Sequence, residues 1–226
     1  MPRSRRVLAA VSAVALLGAG ASAAPASAAA VKITLGCIVF VNDYNAPAIP
    51  VFGTGFTPNG TVTLRTTTPS RPEPRFLGSA RADASGNLVA LTGAAIFKSN
   101  RTRDQRFYLS ASDGLNVAGD GFRQVRLGYE RVPASGSPDR RVKHIARGFT
   151  PGQTVWTHFR HRGRTRATRR LGRARGPCGI ARRKMRALPV KRPSLGLWKV
   201  FVDEREMFSR DSRPQVRQTF EIELQR

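Results

Sequence analysis

Acidic residues, cysteines, histidines and long hydrophobic runs are all scarce in this 226-residue sequence, and each scarcity narrows what the chain can be. Fourteen Asp plus Glu stand against 39 Lys plus Arg, a formal net charge of +25. Glycoside chemistry needs two carboxylates facing each other across a substrate. The one acidic cluster, Asp203, Glu204 and Glu206, lies on a single short stretch beside Lys199, Arg205 and Arg210, which reads as a salt-bridged surface. The three histidines are His144, His158 and His161. His158-x-x-His161 has a chelating spacing on a helix, but on a strand positions i and i+3 face opposite sides. His158 and His161 are therefore expected at the surface, with no metal and no cofactor. There is no Gly-x-Ser-x-Gly elbow, zinc-protease His-Glu-x-x-His or phosphate-cradling glycine loop, so no catalytic residue is nominated. Beyond the first thirty residues no apolar run approaches the roughly 20 residues of a membrane-spanning helix.

The N-terminus is the exception. Arg3, Arg5 and Arg6 precede an apolar run over 7–17 and a small-residue stretch over 18–30 containing Ala26-Ser27-Ala28. That order reads as a secretory signal peptide over 1–28. Ser4-Arg5-Arg6-Val7-Leu8 resembles a twin-arginine export signal, although paired arginines also occur in ordinary leaders, and the ordinary route is preferred. Leu35-Gly36-Cys37 resembles a lipoprotein cleavage site, but Thr34 stands where leucine is wanted, so no lipid anchor is expected. The mature chain should be extracellular or wall-associated, soluble or held non-covalently.

An internal repeat organises the rest. Gly55-Phe56-Thr57-Pro58-Asn59-Gly60-Thr61-Val62 returns as Gly148-Phe149-Thr150-Pro151-Gly152-Gln153-Thr154-Val155, an offset of 93. Leu77-Gly78-Ser79-Ala80-Arg81-Ala82 returns as Leu171-Gly172-Arg173-Ala174-Arg175-Gly176, an offset of 94, which sets Ala84 opposite Cys178. The copies then run over 31–128 and 129–226. In each matched segment proline presets φ for a tight turn, and the next residue, Asn59 or Gly152, accepts positive φ. A strand follows the turn: Val62 and Leu64 alternate with Thr61, Thr63 and Arg65, and Val155 and Thr157 alternate with Trp156 and His158. Further strands are expected over 31–41, 48–52, 75–81, 88–95, 106–111 and 122–127. Copy two repeats them over 142–146, 154–160, 165–171, 183–190, 197–203 and 216–224. Six or seven short strands per ~100 residues with almost no helical periodicity predict an all-β chain of two tandem β-sandwiches. Trp156 and Trp198 are expected in the core of the second.

Gly53-x-Gly55-Phe56-x-Pro58-x-Gly60-x-Val62-x-Leu64, then Ala82-Asp83-Ala84-x-Gly86, then Tyr108-Leu109-x-Ala111-x-Asp113, resembles the bacterial extracellular immunoglobulin-like repeats of secreted and surface proteins. Copy two keeps the first element but carries Arg175-Gly176-Pro177-Cys178-Gly179 at the second turn, and the whole chain resembles secreted proteins of high-GC Gram-positive bacteria with a similar Gly-Pro-Cys-Gly element. These glycine and proline signals specify immunoglobulin-like folding and carry no activity.

Charge separates the copies: 31–128 carries a net +5 and 129–226 a net +17. From Arg160 to Arg192 there are 14 basic residues and no acidic one. The candidate polyanion contacts are Arg160, Arg162, Arg164, Arg166, Arg169 and Arg170, with Arg173, Arg175, Arg182, Arg183, Lys184 and Arg186. Such a run attracts any polyanion, although arginine can also be plain solvated decoration in a GC-rich organism. Nucleic acid is disfavoured, because no Phe, Tyr or Trp interleaves the run, and an anionic cell-wall polymer is the preferred partner. A non-catalytic envelope-binding or structural module is the first reading. A small-ligand carrier of the secreted chromoprotein type is the alternative, though its intra-domain disulfides are missing here, and a hydrolase with an unrecognised site is third. Cys37 and Cys178, the two cysteines, sit one in each copy, so a disulfide would join them. Cys37 shares the Ile33, Leu35, Val39 and Val41 face, which reads as core, and Cys178 lies in a turn that reads as exposed. Against that, Ile38 and Phe40 make the other face of the strand apolar too. Both outcomes stand open on the sequence.

Overall fold

The computed structural model of the chain describes residues 28–41, 47–93 and 104–222. The expected leader, except Ala28, lies outside them. Every regular element among the described residues is a strand. Copy one contains β1 (Ala30–Ile33), β2 (Cys37–Phe40), β3 (Ile49–Thr54), β4 (Thr61–Thr68), β5 (Arg71–Arg81), β6 (Leu88–Thr92), β7 (Asp104–Ser112) and β8 (Val117–Arg126). Copy two contains β9 (Gly128–Val132), β10 (Arg141–Arg147), β11 (Thr154–His161), β12 (Arg164–Arg173), β13 (Ala181–Arg186), β14 (Gly196–Asp203) and β15 (Val216–Ile222).

Copy one packs the sheet β1-β3-β6 against β2-β8-β7-β4-β5; copy two packs β9-β10-β13 against β12-β11-β14-β15. Strand for strand the orders coincide, so the chain is two tandem immunoglobulin-like sandwiches. Among the described residues only β2 lacks a counterpart, and the β2–β8 pair is the one parallel pairing. Each sandwich has its own core. One holds Val62, Leu64, Leu109 and Phe122, the other Val155, Phe159, Leu171, Trp198 and Val200. Full burial of such side chains contributes about 1.5–3 kcal/mol each.

The repeated turns agree down to hydrogen bonds. Gly60 N donates to Thr57 O at 2.8 Å and Gln153 N to Thr150 O at 3.1 Å. Asn59 has φ +57° and Gly152 φ +86°, the positive values that the turn demands. Phe56 N donates to Gly86 O, and Phe149 N to Gly179 O, both at 3.2 Å. This bond makes Gly86 the counterpart of Gly179, so Ser85, not Ala84, stands opposite Cys178. The offset of 94 at Leu77 and Leu171 does not continue into the turn: Ala82 N donates to Gly60 O and Ala174 N to Gln153 O, a spacing of 92, and copy two then carries one extra residue between Ala174 and Gly179, which brings the spacing to 93.

Among the described residues, copies one and two are joined by the connector, by side-chain packing and by a covalent bond. Leu127 alone separates β8 from β9, and its N donates to Phe40 O at 2.8 Å. Val39 packs against Gly148, where an added Cβ would lie 2.7 Å from Val39 Cγ1. Cys37 is bonded to Cys178. The strand expected over 31–41 is broken at 34–36, and this break resets its alternation. Ile33 is core in β1, but in β2 the core residues are Ile38 and Phe40, while Leu35 and Val41 are exposed. The Cys37 and Val39 face is thereby turned toward copy two, and Cys178 is buried, contrary to its reading as an exposed turn residue.

Candidate functional site

The four-stranded sheet of copy two ends at β12 and the three-stranded sheet at β13, and these two edge strands run side by side. Arg183 Nη1 donates to Arg170 O at 2.6 Å, which ties one edge to the other. Arg164, Arg166, Arg169, Arg170 and Arg173 of β12 are exposed, as are Arg175 and β13's Arg182, Arg183, Lys184 and Arg186. Two β-bulges, at Val155/Trp156 and Phe159/Arg160, interrupt the β11–β12 alternation and add twist to the basic edge. The register of β10 on β13 then sets Lys143 opposite Lys184 and Arg141 opposite Arg186. Like charges directly opposed across a ladder destabilise it unless an anion intervenes.

Between the two edges lies a hollow of about 350 Å³. Six basic residues line it, namely Arg141, Arg169, Arg183, Lys184, Arg186 and Lys191, together with Met185, Pro189 and Val190 and no carboxylate. Several of the guanidinium groups are held by main-chain carbonyls. Arg169 Nη2 donates to Pro189 O at 3.2 Å and Arg141 Nη2 to Lys184 O at 3.3 Å. At its margin Arg186 pairs with Asp139, at 3.4 Å between two exposed side chains, a kind of contact that contributes little. Arg141 and Lys191 were not among the candidates; the strand register, which the sequence does not display, is what brings Arg141 here.

Two candidates belong elsewhere. Arg162 and Gly163, both with positive φ, form the two-residue turn between β11 and β12. Arg160 is half-buried on the outer face of β11, its guanidinium 3.8 Å from the centre of the Phe208 ring. Both side chains line a separate hollow of about 620 Å³ on that outer face.

His158 and His161 depart from their expected surface positions, and all three histidines are buried. His144 Nε2 donates to Arg186 O at 3.0 Å and its Nδ1 accepts from Tyr129 Oη at 2.6 Å. Burial holds this imidazole's pKa down to about 4, so it is neutral. His161 faces the core and stacks on Trp198 at 4.8 Å. His158 faces the opposite way, as strand spacing requires, but residues 204–215 fold over it. Its Nε2 lies 3.1 Å from Asp203 Oδ1 and 3.1 Å from Arg205 O, and its Nδ1 3.2 Å from Thr168 Oγ1. Asp203 is fully buried and is no part of a surface salt-bridge cluster. Burial raises its pKa, but hydrogen bonds from His158, the Arg205 amide and Gln215 outweigh this and the net shift is downward. Thr168, His158 and Asp203 form a hydrogen-bonded chain with His158 and Asp203 both sealed from solvent, an arrangement that fixes the overlying loop. Glu204 likewise serves the frame, accepting from Thr150 N at 2.5 Å. Trp198 is core, whereas Trp156 lies on the outer face, half-exposed, because its neighbours Val155 and Thr157 take the inward positions.

No protein-family profile matches this chain, and no curated protein sequence does. Solved structures similar to it include the tetra-tandem repeat in the extending region of a large adhesion protein, at 15% identity and TM-score 0.28, over 85% of this chain and 47% of that one. Another is Salmonella alpha-2-macroglobulin reacted with methylamine, at 9% identity and TM-score 0.36, over 86% of this chain and 16% of the other. A third is the E. coli chaperone DraB, at 12% identity and TM-score 0.30, over 86% of this chain and 98% of that one.

Proposed function

We propose that this chain is a non-catalytic, exported module whose second sandwich binds an anionic cell-envelope polymer along the β12 and β13 edges. The observation that carries the reading is the hollow between those edges, with six basic side chains and no lining carboxylate. A phosphate or carboxylate repeat entering it would relieve the Arg141/Arg186 opposition and take charge-assisted hydrogen bonds from several guanidinium groups at once. The exposed row over Arg164, Arg166 and Arg173 extends the contact along the strand, which suits a polymer better than a single ion. Copy one, at net +5, serves as a spacer held rigidly to copy two by the Cys37–Cys178 bond.

The test is a binding titration of the mature chain with teichoic acid, and with heparin as a second polyanion, at 50 and 200 mM salt. A fall in affinity of roughly 10³ or more between the two is expected for six or more anionic contacts. Absent binding, or binding indifferent to salt, contradicts the proposal.

A further inference from the structure

The larger hollow of copy two, on the outer face of the four-stranded sheet, has a chemistry that the polymer-binding edge lacks. Its basic residues are Arg160, Arg162, Lys199, Arg210 and Arg217. Its apolar lining is Leu195, Leu197, Phe201 and Phe208. The register explains the mixture: on the outer face Phe201 stands opposite Arg217 and Lys199 lies between Arg160 and Thr219. On β15 the carboxylate of that face, Glu221, stands opposite Leu197 and does not line the hollow. Among the described residues none of the five cations has a carboxylate partner.

The wall is preformed. Phe208 packs edge-on against Phe201 at 4.9 Å and against His158 at 5.7 Å. The loop carrying it is pinned by the buried His158–Asp203 pair and by Gln215, whose Nε2 reaches Asp203 Oδ2 at 3.1 Å and Ser209 O at 2.7 Å. Arg160 lies over the Phe208 ring and also donates to Gly163 O, so its guanidinium is held in place before any ligand arrives. Its pKa is lowered by burial and by the nearby Arg210, the mark of a cation held next to another without an anion between them. Because Arg160 already covers Phe208, that ring offers an apolar wall more than a free stacking face, which disfavours nucleic-acid bases. About 620 Å³ falls in the range of small-molecule sites.

We infer that this hollow binds an amphipathic anion, an alkyl chain bearing a phosphate or carboxylate head, with the chain along Leu195, Leu197 and Phe201 and the head among Arg160, Arg210 and Arg217. The inference stands apart from the polymer-binding edge, since the two hollows have no lining residue in common.

The test is calorimetric titration of the full mature chain with monomeric dodecyl phosphate, inorganic phosphate and a neutral dodecyl glycoside, and, in a separate arm, with vesicles containing anionic phospholipid. Saturable one-to-one binding of dodecyl phosphate is expected, with the other two soluble probes at least about tenfold weaker. The doubly exposed variant Arg210→Glu/Arg217→Glu should weaken dodecyl phosphate at least about tenfold, and Phe208→Ala should weaken it as well. Arg183→Glu/Arg186→Glu, at the other hollow, should leave it unchanged. Inorganic phosphate binding as tightly as dodecyl phosphate, equal losses from both charge-reversed pairs, or binding seen with vesicles alone would each overturn the inference.

Discussion

Four residues, 113–116, connect β7 to β8 in copy one, and twelve, 204–215, connect β14 to β15 in copy two. In the short turn Asp113 satisfies the amides of Thr57, Leu115 and Asn116 with its own carboxylate. In the long loop that framework duty passes to Glu204, which accepts from Thr150 N alone, and the remaining residues are free to cover His158 and build a wall for a hollow. The same contrast recurs at the β5–β6 and β12–β13 connections. Asp83 closes the first turn through its side chain on Ser85 and Asn87, while the second replaces it with Gly176-Pro177-Cys178-Gly179 and a covalent tie to copy one. Duplication kept the backbone constraints of the sandwich, and divergence went into the residues that those constraints do not reach.

The largest effect expected from breaking this comparison is at the shared glycines. A Cβ at Gly179 would lie 1.6 Å from Phe149 O, and one at Gly86 2.3 Å from Phe56 O, both at positive φ. Gly179→Ala should cost about 4 kcal/mol or more and Gly86→Ala somewhat less, by urea unfolding. Cost below about 1 kcal/mol at either would show that the turn is not obligatory.

Next comes the tie between copies. Replacing both cysteines by serine opens a link across 141 residues of sequence and should cost about 2–5 kcal/mol. An unchanged urea midpoint would mean that the one-residue connector and the Val39–Gly148 contact already hold the copies together.

Acid separates the copies further, because His144, whose pKa burial lowers, lies in copy two. Folded His144 stays neutral down to about pH 4, whereas an unfolded histidine titrates near 6.5. In that window the unfolded chain binds the extra proton, so the stability contributed by His144 falls as pH drops from about 6.5 to about 4, by up to about 3 kcal/mol, and below that the carboxyls of Asp203 and Asp113, which the fold holds under their ordinary pKa, carry the further loss. Amide exchange should register the His144 loss in β9, β10 and β13 and not in copy one. Tyr129→Phe, which strips the imidazole of its Nδ1 partner, should cost about 1–3 kcal/mol at pH 7. The smallest difference is between the framework carboxylates: Asp113→Ala should lower the melting temperature more than Glu204→Ala, since three amides lose a partner against one.

Alternation and turn chemistry made the frame readable. Val62, Leu64, Val155 and Thr157 point inward as their spacing implies, and Asn59 and Gly152 adopt the positive φ that follows proline in this turn. Alternation holds only along an unbroken strand, however. The interruption at 34–36 reversed the faces of Cys37 and Ile38. Periodicity is also silent about what covers an outer face, and so His158 and Asp203, polar and outward, proved to be buried under 204–215. The basic edge was visible as charge, but its division was not: the positive-φ turn at Arg162-Gly163 and the packing of Arg160 on Phe208 send two arginines to one hollow, while register brings Arg141 to the other.

The most direct test of the account reverses charge in each copy in turn. Mature protein carrying Arg169→Glu/Arg183→Glu/Arg186→Glu should lose teichoic acid binding by about 10³ at 50 mM salt. Protein carrying Arg71→Glu/Arg75→Glu/Arg81→Glu on the exposed strand β5 of copy one should bind within about threefold of the unaltered chain. Equal losses from the two triples would contradict the assignment of polymer binding to copy two.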